Sequence, residues 1–186
     1  DGFYFDDFKI FYNEAPQGTA PEASFTPSSF ELCAGSEVSF NDFSSEQPTD
    51  WSWDFGDGSS SSAQNPNHVY TTFGTYVVTL AVSNEFGSNS TVQTIVVNEG
   101  PTVELTTSDS DNIVCVSDGL VQLSGTPSGV IFSGNAVGVS VFDPQVAGAG
   151  VHVITGTYTD GNGCVGQSTL EILVEPCASV SEFAYY

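Results

Sequence analysis

The sequence predicts an all-β chain of two tandem β-sandwiches, and three observations carry that prediction. Apolar residues alternate with polar ones along most of the chain, as in strands with one buried face. Ser, Thr, Gly and Val dominate, Gly and Pro punctuate the alternating runs, and no long helix is indicated. Two stretches also repeat: Cys33 to Phe40 parallels Cys115 to Leu123, and Gly74 to Thr79 parallels Gly150 to Thr155. The offset of about 80 residues suits small sandwich modules in series.

In chain order, residues 1–14 are aromatic-rich and read as a strand, and residues 15–23, with Pro16, Gly18 and Pro21, read as a linker. Residues 24–98 form the first sandwich. Within it Trp51, Trp53 and Phe55 alternate with Ser52 and Asp54, so one face of that strand is apolar. Gly56-Asp57-Gly58 follows and dictates a tight turn, because glycine reaches positive φ cheaply and Asp can bond turn backbone. Tyr76, Val78, Leu80 and Val82 share one face of a central strand, and Tyr76, just after Gly74, is placed to tie a strand start to a neighbouring loop. Asn84 to Gly87 turns into a last strand over residues 91–97. Residues 99–101 read as a hinge, 102–176 as the second sandwich and 177–186 as a tail.

Charge excludes whole classes of partner. Asp and Glu number 23 against a single base, Lys9, with no arginine, giving a formal net charge of -22. Nucleic acid binding needs Lys and Arg to displace counterions, and anionic membranes need the same, so neither is a partner. No stretch approaches the roughly 18 apolar residues of a membrane span, and direct membrane insertion is not expected. The chain opens on Asp1-Gly2-Phe3 without a signal peptide or an initiator Met, which reads as a fragment, a processed product or part of something longer.

The run Trp51-Ser-Trp-Asp-Phe-Gly-Asp-Gly58, then Asn65-Pro-Asn-His-Val-Tyr70 and Gly74 to Asn84, resembles a PKD domain, an immunoglobulin-like sandwich of cell-surface proteins. The positions carrying the resemblance are Trp53, Asp54, Gly56, Asp57, Gly58, Tyr70, Gly74 and Tyr76. In the second sandwich, Val114-Cys115, Leu123 to Pro127, Phe132-Ser-Gly134, Phe142-Asp-Pro144, Ala147 to Gly150 and Tyr158 to Cys164 resemble an immunoglobulin-like repeat of Bacteroidota surface proteins. That resemblance implies a following type IX secretion sorting domain. Asp1 to Ile10 is similar to the final strand of a jelly-roll module that follows the catalytic domain in secreted metallopeptidases. It implies a peptidase parent and offers Asp1, Asp6 and Asp7 as calcium ligands. A calcium-binding PKD domain also carries an Asp-rich loop before its Trp-Asp-Phe strand; here that loop, Asn41 to Asp50, is less acidic, and Asp54 and Asp57 read as turn-builders.

Four cysteines without a Cys-x-x-Cys favour disulfides over zinc or redox chemistry and allow three connectivities. Cys115 with Cys164 is the expected pair, since the first strand of such a sandwich lies beside the last. Closing that loop is worth roughly 4 kcal/mol. Cys33 is left to Cys177, to no partner, or Cys177 to a partner elsewhere. His68 reads as an ordinary polar position, and His152, between Val151 and Val153, as solvent-facing; neither has a His-Glu-x-x-His context. No nucleophile elbow, Walker loop or dinucleotide fingerprint is present. Phe43, Trp51 and Phe73 are the aromatics that could stack on sugars.

The expected function is therefore non-catalytic, with no required cofactor: a secreted, cell-surface spacer between an upstream region and a sorting domain read by the type IX machinery. The competing expectation is an adhesion module that binds surface polysaccharide or protein, with calcium as an aid.

Overall fold

The structure is a computed structural model that describes residues 18–177. The strand expected over residues 1–14, the calcium ligands Asp1, Asp6 and Asp7, and the tail after Cys177 lie outside the described residues.

The described chain is all-β. Its strands are β1 (Phe25–Pro27), β2 (Glu31–Cys33), β3 (Glu37–Asp42), β4 (Asp50–Asp54), β5 (Ser60–Ser61), β6 (Asn67–Val69), β7 (Gly74–Asn84), β8 (Gly87–Asn98), β9 (Glu104–Thr107), β10 (Ile113–Cys115), β11 (Val121–Thr126), β12 (Ile131–Ser133), β13 (Val141–Phe142), β14 (Gly150–Thr159) and β15 (Val165–Glu175). One short helix, α1 (Pro144–Ala147), interrupts them; Asp143 caps it by accepting from the amides of Gln145 and Val146.

Two compact units result. Among the described residues, one holds residues 18–30, Glu37–Val69 and Thr75–Ile95; the other holds Glu31–Ser36, Tyr70–Gly74 and residues 96–177. In the first unit β1, β3 and β6 form one sheet, and β8, β7, β4 and β5 lie side by side in the other. The register sets Phe25 opposite Asp42, Trp53 opposite Leu80 and Trp53 opposite Ser61.

The period-two pattern decides what fills the space between these sheets. Val78, Leu80 and Val82 of β7 are buried, as are Trp53 and Phe55. Phe25 and Phe40, from the opposite sheet, meet Trp53 at ring-centroid distances of 5.0 and 5.5 Å. Phe40 also meets Phe55 at 5.4 Å. Such edge and tilted contacts add to the area each ring buries. The Trp53 indole N–H, which would otherwise be stranded in this core, donates to the Ala63 carbonyl at 2.8 Å. Residues 18–23 are tied to this unit: the Thr19 carbonyl and the Ala23 amide bond the side chains of Asn84 and Asn89.

In the second unit β10, β15, β14 and β12 form one sheet, and β13, β11 and β9 the other. β14 and β15 make a long antiparallel ladder from Gly150–Val174 to Thr159–Val165. Val114, Val121, Leu123, Phe142, Ile154, Ile172 and Val174 form its core. Pro101 of the expected hinge lies so close over Gly166 that a Cβ there would sit 1.9 Å from the Pro101 carbonyl oxygen.

The internal repeat extends to backbone detail. β2 pairs in parallel with the last three residues of β8, and β10 with the last three of β15. Cys33 and Cys115 each end the short parallel strand. After Cys33 the Ser36 amide returns to its carbonyl, and after Cys115 the Asp118 amide does the same.

The disulfides correct the sequence reading. Cys33 bonds Cys164, and Cys115 bonds Cys177, with Cα–Cα distances of 5.5 and 5.2 Å. The expected pair Cys115–Cys164 fails on strand direction. Because β10 runs parallel to β15, Cys115 lies opposite Glu175, at the end of β15, whereas Cys164 precedes its start. The length of β15 separates them by roughly 33 Å. Cys177, two residues past Glu175, is within reach of Cys115. Cys164 sits fully buried in the β14–β15 turn, its amide held by the Asp160 carboxylate, and takes Cys33. All four cysteines belong to the same unit.

Candidate functional site

The distinctive polar chemistry of the first unit gathers at the turn after β4. Asp54 accepts from the Gly56 amide at 2.8 Å, and Asp57 accepts from the Ser59 amide at 3.0 Å and from the Ser59 hydroxyl. Both carboxylates thus stand in for missing strand partners, as Asx turns do. Gly56 and Gly58 have φ of 80° and 91°, and a Cβ on Gly56 would meet the Val77 carbonyl oxygen at 2.6 Å. Gly56→Ala therefore combines a left-handed backbone with a clash against the central strand. We expect it to cost about 2–4 kcal/mol, read as a lowered urea midpoint; Gly58→Ala, with open space around its Cβ, will cost less.

His68 completes the turn. Its Nε2 lies 2.7 Å from the second oxygen of Asp57, and its ring stacks on Phe55 at 4.3 Å with an interplanar angle of 2°. The sequence reading treated His68 as an ordinary polar position; β6 instead carries it from the opposite sheet, opposite Val38, onto the buried Phe55. Burial pushes the Asp57 carboxyl upward, but the Ser59 hydroxyl and amide and the His68 ring outweigh it and hold the group below its ordinary value. A carboxylate depressed on folding contributes stability that is full above its unfolded pKa, about 3.9, and is lost as pH falls through the lower folded value. Urea melts between pH 6 and pH 2 should show this acid limb, and Asp57→Asn should flatten it.

The loop before β4, Asn41 to Asp50, is organised around Asp42. Asp42 accepts from the Ser44 amide at 2.9 Å, the Trp51 indole at 2.7 Å and the Gln64 amide at 3.1 Å. Burial raises its pKa, and these bonds together lower it below the ordinary range. Its oxygens already face neutral donors. Among the described residues no three of His, Cys, Asp or Glu converge where they could hold a metal ion. Calcium takes six to eight oxygen ligands, and here the Asp42 carboxylate is engaged by the chain's own donors. Asp109 and Asp111 build the turn before β10, accepting from the amides of Asp111 and Ile113.

The remaining candidates scatter. Trp51 is half-buried and held by Asp42, while Phe43 and Phe73 are exposed. Tyr70 is fully buried, Tyr76 half-buried, and Gly74 opens β7. His152 reverses its expected orientation: Val151 and Val153 are the exposed residues, and His152 turns inward beside Phe142, donating from Nε2 to the Gly148 carbonyl at 2.9 Å. His152 shares the parity of the buried Ile154 and finds a carbonyl inside.

One open cleft went unanticipated. It measures about 470 Å³ and is lined by Thr19, Glu46, Gln47, Asn84, Glu85 and Phe86. Glu46 and Gln47 are consecutive left-handed residues with φ of 60° and 52°. The Asn84 side chain holds them by donating to the Glu46 carbonyl at 2.9 Å and to the Thr19 carbonyl at 3.0 Å. The Thr19 hydroxyl of the same cleft donates to the Glu46 carboxylate at 3.0 Å.

Residues 18–99 match the PKD domain family. Collagenase ColA of Bacillus cereus is 46% identical over 50 residues, which is 26% of this chain and 5% of the collagenase, so the chain spans about one twentieth of that relative. The PKD1 domain of Vibrio anguillarum Epp is 31% identical, aligning 45% of this chain with 99% of that one at a TM-score of 0.40. The PKD1 domain of the Vibrio cholerae metalloprotease PrtV is 35% identical over 42% of this chain and 98% of that one, at a TM-score of 0.38. A PKD domain is a non-catalytic module, in keeping with a chain expected to be no enzyme. Residues 18–99 of this chain belong to the PKD domain family.

Proposed function

We propose that this chain is a non-catalytic connecting part of a secreted protein, placed between an upstream region of peptidase type and a C-terminal sorting domain handled by the type IX secretion machinery. The observation that carries the reading is the pairing of a PKD domain at residues 18–99 with two disulfides. Disulfides persist in oxidising, extracellular compartments. No described helix is long and apolar enough to cross a membrane. The acids and amides that mark the PKD turn are consumed by the fold's own backbone, which suits a part that holds its neighbours rather than one that captures a ligand.

Arrays of bacterial and plant polysaccharides, together with immobilised collagen, test this directly with the 186-residue chain. A connecting part gives no saturable binding up to high micromolar concentration. Saturable binding that Phe43→Ala, Phe73→Ala or Trp51→Ala abolishes would replace this reading with the adhesion one.

A further inference from the structure

We infer that the chain is a length-limited tether, in which one disulfide removes most of the polypeptide from the line of tension. This rests on the connecting reading above and adds a mechanical property to it. The argument is one of connectivity. A pull on the two ends follows the shortest covalent route. That route enters from the N-terminal side to Cys33, crosses to Cys164, runs along the chain to Cys177 and leaves. Residues 34–163 hang outside it as a closed loop spanning a sequence separation of 131.

The part of the route between the disulfides has no slack either. Cys164 and Cys177 bracket β15, which is already a strand, with Val165 to Glu175 paired along its length to β14. A strand rises about 3.3 Å per residue, close to the most a polypeptide can span. Tension there meets extended backbone and a covalent bond, whereas an ordinary sandwich is held by only about 5–15 kcal/mol of non-covalent stability and can unravel along its whole length.

The second disulfide plays a different part. Cys115–Cys177 joins the route at Cys177 but offers only a longer detour from Cys33, so it carries load only when Cys33–Cys164 is broken. The two bonds are therefore unequal in a way that sequence separation alone would not show.

Single-molecule force extension of the full chain, held by handles at its two ends, reads this out as contour length. Relative to the oxidised chain, reduction with dithiothreitol should release about 440 Å, some 130 residue steps. Cys33→Ser with Cys164→Ser should release only about 235 Å, because the detour through Cys115 takes over. Cys115→Ser with Cys177→Ser should release nothing. An oxidised wild-type chain that stretches to the reduced length, or a Cys115/Cys177 variant that lengthens, overturns the inference. Reducing an already tethered wild-type molecule gives the same comparison without any variant that must fold. Non-reducing peptide mapping with an acid-specific protease, suited to a chain whose only basic cleavage residue is Lys9, checks the connectivity itself. Polysaccharide binding would defeat the connecting reading and leave these lengths unchanged, so the two failures are distinct.

Discussion

Trp53→Ala is expected to lower the stability of the chain by about 3–5 kcal/mol, the range for removing a large aromatic from a packed core. Trp53 is 1% exposed and touches Phe25 and Phe40 from the facing sheet, so alanine leaves a void that both sheets line. The same substitution also removes the indole hydrogen bond to the carbonyl of the exposed Ala63. Urea denaturation followed by tryptophan-independent circular dichroism measures the effect. Trp51→Ala is the internal control: Trp51 is half-buried and its indole bonds a half-exposed carboxylate, so its loss should cost clearly less. Equal losses at the two positions would mean that the core lies elsewhere than the alternation of β4 indicates.

Removing Cys33–Cys164 is the second large effect. With a sequence separation of 131, the chain-entropy model assigns the bond about 5 kcal/mol. Cys115–Cys177, with a separation of 62, is worth about 4 kcal/mol on the same model. Cys33→Ser paired with Cys164→Ser should therefore lower the urea midpoint at least as far as the other double variant. A Cys33/Cys164 variant as stable as wild type would show that the bond constrains little that the fold does not already fix.

Much of this architecture was legible in the residues because β-sandwiches announce themselves through parity. Val78, Leu80 and Val82 had to share a face, and so did Trp53 and Phe55, which β4 sets beside them on the same side of the sheet. The repeat of Cys33 and Cys115 was visible as well, and the structure gives both cysteines the same place at the end of a short parallel strand. What was not legible depended on strand direction and on contacts between sheets. The cysteine pairing turned on β10 running parallel, which alternation does not encode. His68 and Asp57 meet because β6 lies in the facing sheet, and His152 follows the parity of the buried Ile154 although it is polar. The cleft beside Asn84 rests on two left-handed residues, Glu46 and Gln47, neither of which is a residue type that advertises that conformation.

The crossed pairing of the cysteines also has a consequence in time. In a chain delivered N-terminus first, Cys33 and Cys115 both appear before either native partner, Cys164 or Cys177. The first bond available to an oxidant is then Cys33–Cys115, which belongs to no native pair. Native connectivity requires either that strands form before oxidation, setting β2 on β8 and β10 on β15, or that a thiol–disulfide exchange catalyst reshuffles what forms first. Native pairing in this chain thus depends on when its thiols meet an oxidant, as well as on where they end up.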